Sequence, residues 1–369
     1  MSTAQVNGTA EAAATVVKAL VWELKAEELL TYVCVTILAL IPIYIGCHMS
    51  LTQKKEQKEG SEGGNGSKIE YELETMSSSD AWKFPVYGSA FLFGLYVVYK
   101  LLPKEWVTLC LNLYLLCFGM ASLVACFRPL YSKIFNLFSQ HEHVLPVWKL
   151  TVPYLIKEPV DVTYLDALNV FGCVALVSWY LWTKNWIANN IIATSFSIQG
   201  IALVSVGSYQ IGCGLLSLLF FYDIFWVFGT DVMVTVAKSF DGPIKMLWPK
   251  DLLADQYSFS MLGLGDIVLP GLFLALLLRY DVHRSKDKKS FQSPYFNVTF
   301  FGYIVGLAVT MSVMHIFRAA QPALLYLVPA VILFSAGTGF YLRDFSGIWN
   351  YSEDSDEDKK KDEKKVKKE

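Results

Sequence analysis

Nine separate runs of mostly apolar residues, each about 20 long, constrain this chain more than any other feature. They fall at 28–48, 84–102, 107–127, 164–182, 186–206, 211–230, 261–279, 297–316 and 323–342. Coiled as an α-helix, a run of that length matches the hydrocarbon thickness of a bilayer. Backbone amides cannot be left bare in hydrocarbon, and a helix satisfies them internally. The expected fold class is therefore an all-α polytopic membrane protein with nine transmembrane helices. Only 17% of residues are charged and 54% are apolar, which argues against a soluble domain of this length.

The charges that do occur are concentrated between the runs and in the tail. Residues 1–27 read as a lumenal N-terminal segment. They lack a compact apolar core behind a basic start, so the first run is expected to be an uncleaved anchor. Residues 28–206 form an N-terminal membrane bundle, interrupted at about 51–82 by a Gly-, Ser- and Glu-rich linker expected to be disordered. Residues 207–345 form a second membrane part, the one that holds both of the intramembrane acids described below. Residues 346–369 form a disordered tail, first acidic and then lysine-rich. With the N-terminus placed in the lumen, roughly 22 of the Lys and Arg residues fall on the cytosolic side and about 9 on the other. This puts the C-terminus in the cytosol. Asn7-Gly8-Thr9 then becomes a lumenal glycosylation sequon at Asn7.

Two acids interrupt the apolar runs. Asp223 stands in Leu218-Leu219-Phe220-Phe221-Tyr222-Asp223-Ile224-Phe225-Trp226, and Asp266 in Gly263-Leu264-Gly265-Asp266-Ile267-Val268-Leu269. A carboxylate is costly in hydrocarbon and marks a functional site there. Measured from the same surface, Asp223 lies about 18 Å deep on the sixth run and Asp266 about 20 Å deep on the seventh. Consecutive antiparallel helices usually pack together, so the two acids can meet. Two carboxyls sharing one proton could activate a water for peptide hydrolysis. The same acids could instead carry ions or protons in a transporter or channel. Asp166 and Asp231 lie near the ends of their runs and read as interfacial acids.

Other chemistries have little support. The seven cysteines lie mostly in apolar runs with no CxxC. There is no HExxH for a zinc protease and no Gly-x-Ser-Gly for a serine protease. His141-Glu142-His143 is a short polar patch in a loop. No cofactor and no metal are expected.

Gly263 and Gly265 just before Asp266 suggest irregular backbone beside a small wet cavity, and Pro270 suggests a kink one turn later. The ninth run opens with Gln321-Pro322-Ala323-Leu324. A helix hides its peptide bonds, so a protease must hold its substrate unwound. Pairing the substrate as an added strand would replace the lost helical bonds. Pro322-Ala323-Leu324 and the glycine segment are expected to form that clamp.

Tyr222-Asp223, Gly263-Leu264-Gly265-Asp266 and Gln321-Pro322-Ala323-Leu324, in that order, resemble the GxGD intramembrane aspartyl proteases. That family contains presenilin and signal peptide peptidase. The strings Phe225-Trp226-Val227-Phe228-Gly229-Thr230-Asp231-Val232-Met233-Val234 and Leu262-Gly263-Leu264-Gly265-Asp266-Ile267-Val268-Leu269-Pro270-Gly271 are most similar to the signal peptide peptidase branch. The likeness runs from about Phe84 to Arg343. It implies that Asp223 and Asp266 are the catalytic pair. It also implies a substrate site formed by Tyr222, Gly263, Leu264, Gly265, Gln321, Pro322, Ala323 and Leu324.

The family's partners would be membrane-embedded signal peptides and type II membrane segments in the endoplasmic reticulum. Self-association and quality-control partners belong to the same expectation. Lys365 and Lys367, five and three places from the end, resemble a dilysine retrieval signal. The alternatives are a secondary transporter or ion channel using these carboxylates, and a non-enzymatic membrane quality-control factor.

Overall fold

The computed structural model describes residues 26–60, 74–76, 78–138, 148–150, 160–162, 164–230, 242–251, 257–285, 293–317 and 321–353. The chain runs α1 (Ala26–Gly60), β1 (Glu74–Met76), α2 (Ser78–Leu101), α3 (Lys104–Phe138), β2 (Trp148–Leu150), β3 (Val160–Val162), α4 (Tyr164–Thr183), α5 (Trp186–Leu203) and β4 (Val204–Val206). It continues with α6 (Tyr209–Phe228), β5 (Lys245–Pro249), β6 (Phe259–Gly263), α7 (Gly265–Arg284), α8 (Pro294–Phe317), α9 (Leu324–Tyr341) and the short α10 (Phe345–Trp349). Among the described residues the strands form three small pairs: parallel β1–β4, and antiparallel β2–β3 and β5–β6.

The fold is all-α and polytopic. Among the described residues, seven helices are long and apolar enough to cross a membrane: α1, α2, α3, α4, α6, α8 and α9. The other two expected runs are also helical, as α5 and α7, but carry more polar residues. Both are largely buried within the bundle. Helices that face protein rather than lipid can carry polar residues such as Asn189, Asn190 and Arg279, each of which has hydrogen-bond partners in the bundle.

Small residues let these central helices approach closely. A Cβ on Gly271 of α7 would come within 2.5 Å of Ile201 on α5. One on Gly302 of α8 would come within 2.7 Å of Phe334 on α9. Buried side chains from α1, α5, α6, α7, α8 and α9 form the main core.

Two boundaries differ from the sequence expectation. The linker placed at about 51–82 is shorter: α1 continues to Gly60 and α2 begins at Ser78. Gln, Lys and Glu are good helix formers, so Thr52–Glu59 extends α1 without an apolar face. The tail placed at 346–369 includes structured residues as far as Glu353. After α10, the Glu353 N–H donates to the Gly207 carbonyl at 2.8 Å. The Glu353 side chain is buried, taking Arg279 Nε and Lys54 Nζ at 2.6 Å each and the Ser205 hydroxyl at 2.8 Å. A carboxylate can be buried when it is paired this fully. Burial alone would push it up, but Arg279 and Lys54 hold Glu353 below the ordinary Glu range.

Candidate active site

Ser208 starts α6 by accepting the Ile211 N–H on its hydroxyl at 3.2 Å. Asp223 lies in the last third of this helix and is 7% exposed. Its carboxylate does not stand alone. Oδ2 accepts the backbone N–H of Leu324 at 3.0 Å. Leu324 is the first residue of α9, where unpaired N–H groups and the helix dipole favour an anion.

Asp266 is the second residue of α7 and is partly buried. Its helix packs against α6, which carries Asp223. Two contacts bring their helices together near the start of α6. The Tyr209 and Phe273 rings pack with centroids 5.4 Å apart, and a Cβ on Gly212 would come 2.8 Å from Phe273. The Tyr303 hydroxyl of α8 donates to the backbone oxygen of Asp266 at 3.2 Å.

Immediately before Asp266 the chain is a β-hairpin. Leu264 closes it by donating its N–H to the Ile244 carbonyl at 3.1 Å. Leu264 then begins α7, its carbonyl accepting from Ile267 and Val268. The register pairs Lys245 with Gly263 and Pro249 with Phe259. With Leu264 bonded to Ile244 and Lys250 to Ser258, alternation turns Lys245, Leu247 and Pro249 outward on β5. It turns Phe259, Met261 and Gly263 outward on β6.

The β5 edge is already occupied. Asn190 of α5 donates Nδ2 to the Leu247 carbonyl at 2.7 Å and accepts the Leu247 N–H on Oδ1 at 2.8 Å. Asn189 donates to the Lys245 carbonyl at 2.8 Å. A side-chain amide here replaces a third strand. Among the described residues the β6 edge has no strand partner.

The other motif residues fall into place around this centre. None of the described glycines has positive φ, so neither Gly263 nor Gly265 is needed for left-handed backbone. Gly263 instead provides space: a Cβ there would lie 3.3 Å from the Asp266 carboxylate. A Cβ on Gly265 would meet only Leu269, at 4.0 Å. Pro322 and Ala323 give their carbonyls to Leu325, Tyr326 and Leu327 of α9. These carbonyls are taken up by the start of α9. Gln321 Oε1 accepts the Tyr326 hydroxyl at 3.5 Å. Tyr222 faces α2, lining a cleft of about 390 Å³ with Pro85, Val86, Ser89, Phe221 and Trp226. Trp226 Nε1 donates to the Ser89 hydroxyl across this cleft at 3.2 Å. Asn7, Asp231, His141-Glu142-His143, Lys365 and Lys367 lie outside the described residues.

Asn189, Asn190 and Tyr303 were not singled out from the sequence. The two adjacent asparagines did carry a signal, because amides inside an apolar run need partners. Tyr303 gave none, since a tyrosine in such a run has many ordinary uses.

Comparison with known proteins follows the same lines. A family model described as signal peptide peptidase matches residues 68–355. The human protein named signal peptide peptidase is 38% identical over 336 residues, spanning 89% of this chain and 85% of the relative. Intramembrane protease 2 of Caenorhabditis elegans is 44% identical over 230 residues, covering 59% of this chain and 49% of the relative. A solved presenilin-family intramembrane aspartate protease shares the fold with TM-score 0.50 at 15% identity, covering 84% of this chain and 99% of that one.

Proposed function

The chain belongs to the signal peptide peptidase family and is an intramembrane aspartic endopeptidase, and from this premise we propose that Asp223 and Asp266 are its catalytic pair. The observation that carries the reading is that the two motif acids stand on neighbouring, packed helices, α6 and α7, with the Asp223 carboxylate held by the start of α9. One carboxyl is ionised and the other protonated. The ionised member takes a proton from water as the water oxygen attacks the peptide carbonyl carbon. The protonated member gives its proton to the carbonyl oxygen. The tetrahedral intermediate then collapses, the C–N bond breaks, and a carboxyl returns a proton to the leaving amine.

The substrate is an unwound membrane segment. It enters sideways from the lipid through the cleft between α2 and α6 and pairs with the outward edge of β6. Asn190 supports this assignment by occupying the opposite edge of the hairpin. Met261 and Gly263 offer the backbone groups for pairing. Pro322-Ala323-Leu324 acts at one remove, setting the α9 N-terminus that holds Asp223. Gly263 keeps the Asp266 carboxylate approachable.

The finer assignments follow the family. The protein crosses the endoplasmic reticulum membrane nine times, N-terminus in the lumen and C-terminus in the cytosol. It cuts signal peptide remnants and type II membrane segments. Asn7 is glycosylated, and Lys365 and Lys367 serve retrieval. Self-association and quality-control partners belong to the same assignment.

The test is cleavage of a synthetic signal peptide in detergent or liposomes by the purified protein, with products read by mass spectrometry. Asp223→Ala and Asp266→Ala should each abolish cleavage while leaving the protein folded. Retained cleavage by either variant would refute the pair. Proton flux without any cleavage would favour transport instead.

A further inference from the structure

Asp266 sits in a helical turn that lacks one of its own hydrogen bonds. In an α-helix the carbonyl of residue i accepts the N–H of residue i+4. For Asp266 that residue is Pro270, which lies inside α7 and has no N–H to give. The proline ring also crowds the carbonyl four residues back. A buried carbonyl without its donor is costly, and more so where no water can reach it.

The missing donor comes from another helix. Tyr303 of α8 gives its hydroxyl to the Asp266 carbonyl at 3.2 Å, and Tyr303 is 0% exposed. We propose that Pro270 and Tyr303 act as one positioning device: the proline frees the Asp266 carbonyl and the tyrosine holds it. Tyr303 is thus a positioning residue for the reaction. The inference rests on the reading of Asp266 as catalytic.

The scaffold behind this device is shared by both acids. α8 packs closely on α9, where a Cβ on Gly306 would come 3.0 Å from Ala330 and 3.1 Å from Leu327. α9 holds the Asp223 carboxylate through the Leu324 N–H, and α8 holds the Asp266 backbone through Tyr303. The α8–α9 pair therefore sets the position of each acid against the other. If α7 made its own bond at this turn, Asp266 would follow α7 alone.

A double-mutant cycle tests the device. Tyr303→Phe removes the donor and keeps the ring. Pro270→Ala returns an N–H to the Asp266 carbonyl. In the peptide-cleavage assay, Tyr303→Phe should lower kcat by about tenfold, the loss expected for one hydrogen bond that positions a reacting group, with KM within about twofold. In the Pro270→Ala background the same change should cost less than about twofold in kcat.

Tyr280→Phe serves as a reference. It removes a different buried hydroxyl, bonded to Asp344 at 2.7 Å, about 21 Å along α7 from Asp266, and should keep kcat. An equal loss from Tyr303→Phe in both backgrounds, an unchanged kcat, or a change in KM alone would overturn the proposal. If Tyr303→Phe does not fold, the double variant decides: folded, active protein supports the device and unfolded protein refutes it. Asp266→Ala in the same assay separates the two readings. Cleavage by Asp266→Ala removes the catalytic reading itself. Abolished cleavage there without coupling in the cycle removes only the role of Tyr303.

Discussion

Asn190→Leu is the sharpest test of how the hairpin before Asp266 is held. The substitution keeps the size of the side chain and removes both of its bonds to Leu247, at 2.7 and 2.8 Å. Each bond is worth about 1 kcal/mol net, and a peptide group left without a partner costs about 1–3 kcal/mol. Asn190 is 6% exposed, so water is a poor replacement. The docked hairpin should lose about 2–4 kcal/mol, which shifts its opening equilibrium at least about 30-fold.

Hydrogen exchange with mass spectrometry on the purified protein reads this directly. The peptide covering 244–250 should lose protection by about 30-fold or more, while peptides from α8 and α9 keep theirs. Asn189→Leu removes one bond to the strand, that to the Lys245 carbonyl, and a long one to Asn190 Oδ1 at 3.4 Å, and should have a smaller effect, about tenfold or less. Cleavage should fall with the protection, because an open hairpin presents no ordered β6 edge. Unchanged exchange over 244–250 would show that Asn190 does not hold β5. Lost protection with full activity would show that the substrate does not need the hairpin.

Two further substitutions probe other parts of the argument. Gly263→Ala places a Cβ 3.3 Å from the Asp266 carboxylate, so the acid must shift by a few tenths of an ångström. Cleavage should fall about 10- to 100-fold with little change in melting temperature, since misplacing a catalytic group is costly in rate; full activity would sink the steric reading. Glu353→Ala leaves Arg279 and Lys54 buried without their carboxylate and should cost about 3–5 kcal/mol, seen as a large drop in thermal stability. The same network predicts a pH dependence. Glu353 is held below its ordinary value of 4.5, so its contribution is complete above that pH and is lost as pH falls through the lower folded-state value. A wild-type melting temperature that falls no more steeply below pH 4.5 than that of Glu353→Ala would contradict it.

The sequence by itself determined the membrane class, the helical architecture and the two acids worth watching. The reason is that a bilayer imposes a length and a polarity that can be read residue by residue. Asp223 and Asp266 stand out because each breaks an apolar run where a charge is expensive. The polar extension of α1 to Gly60 and the burial of Glu353 were not legible. The first depends on helix propensity outside the membrane, and the second on partners from α1, α7 and β4 far away in sequence.

The tertiary structure alone decided what holds each acid. Leu324 donates a backbone N–H that any residue but proline would carry, and Tyr303 reaches across from a different helix. Asn190 closes a strand edge that exists only once β5 has paired with β6. Pro322-Ala323-Leu324 and Gly263 were marked as important by their motifs, but their spacing could not say whether they touch substrate or support the aspartates. Apolar periodicity says which segments enter the membrane. It does not say which faces meet, because every face of a membrane helix is apolar, and only packing settles which of them turns toward protein.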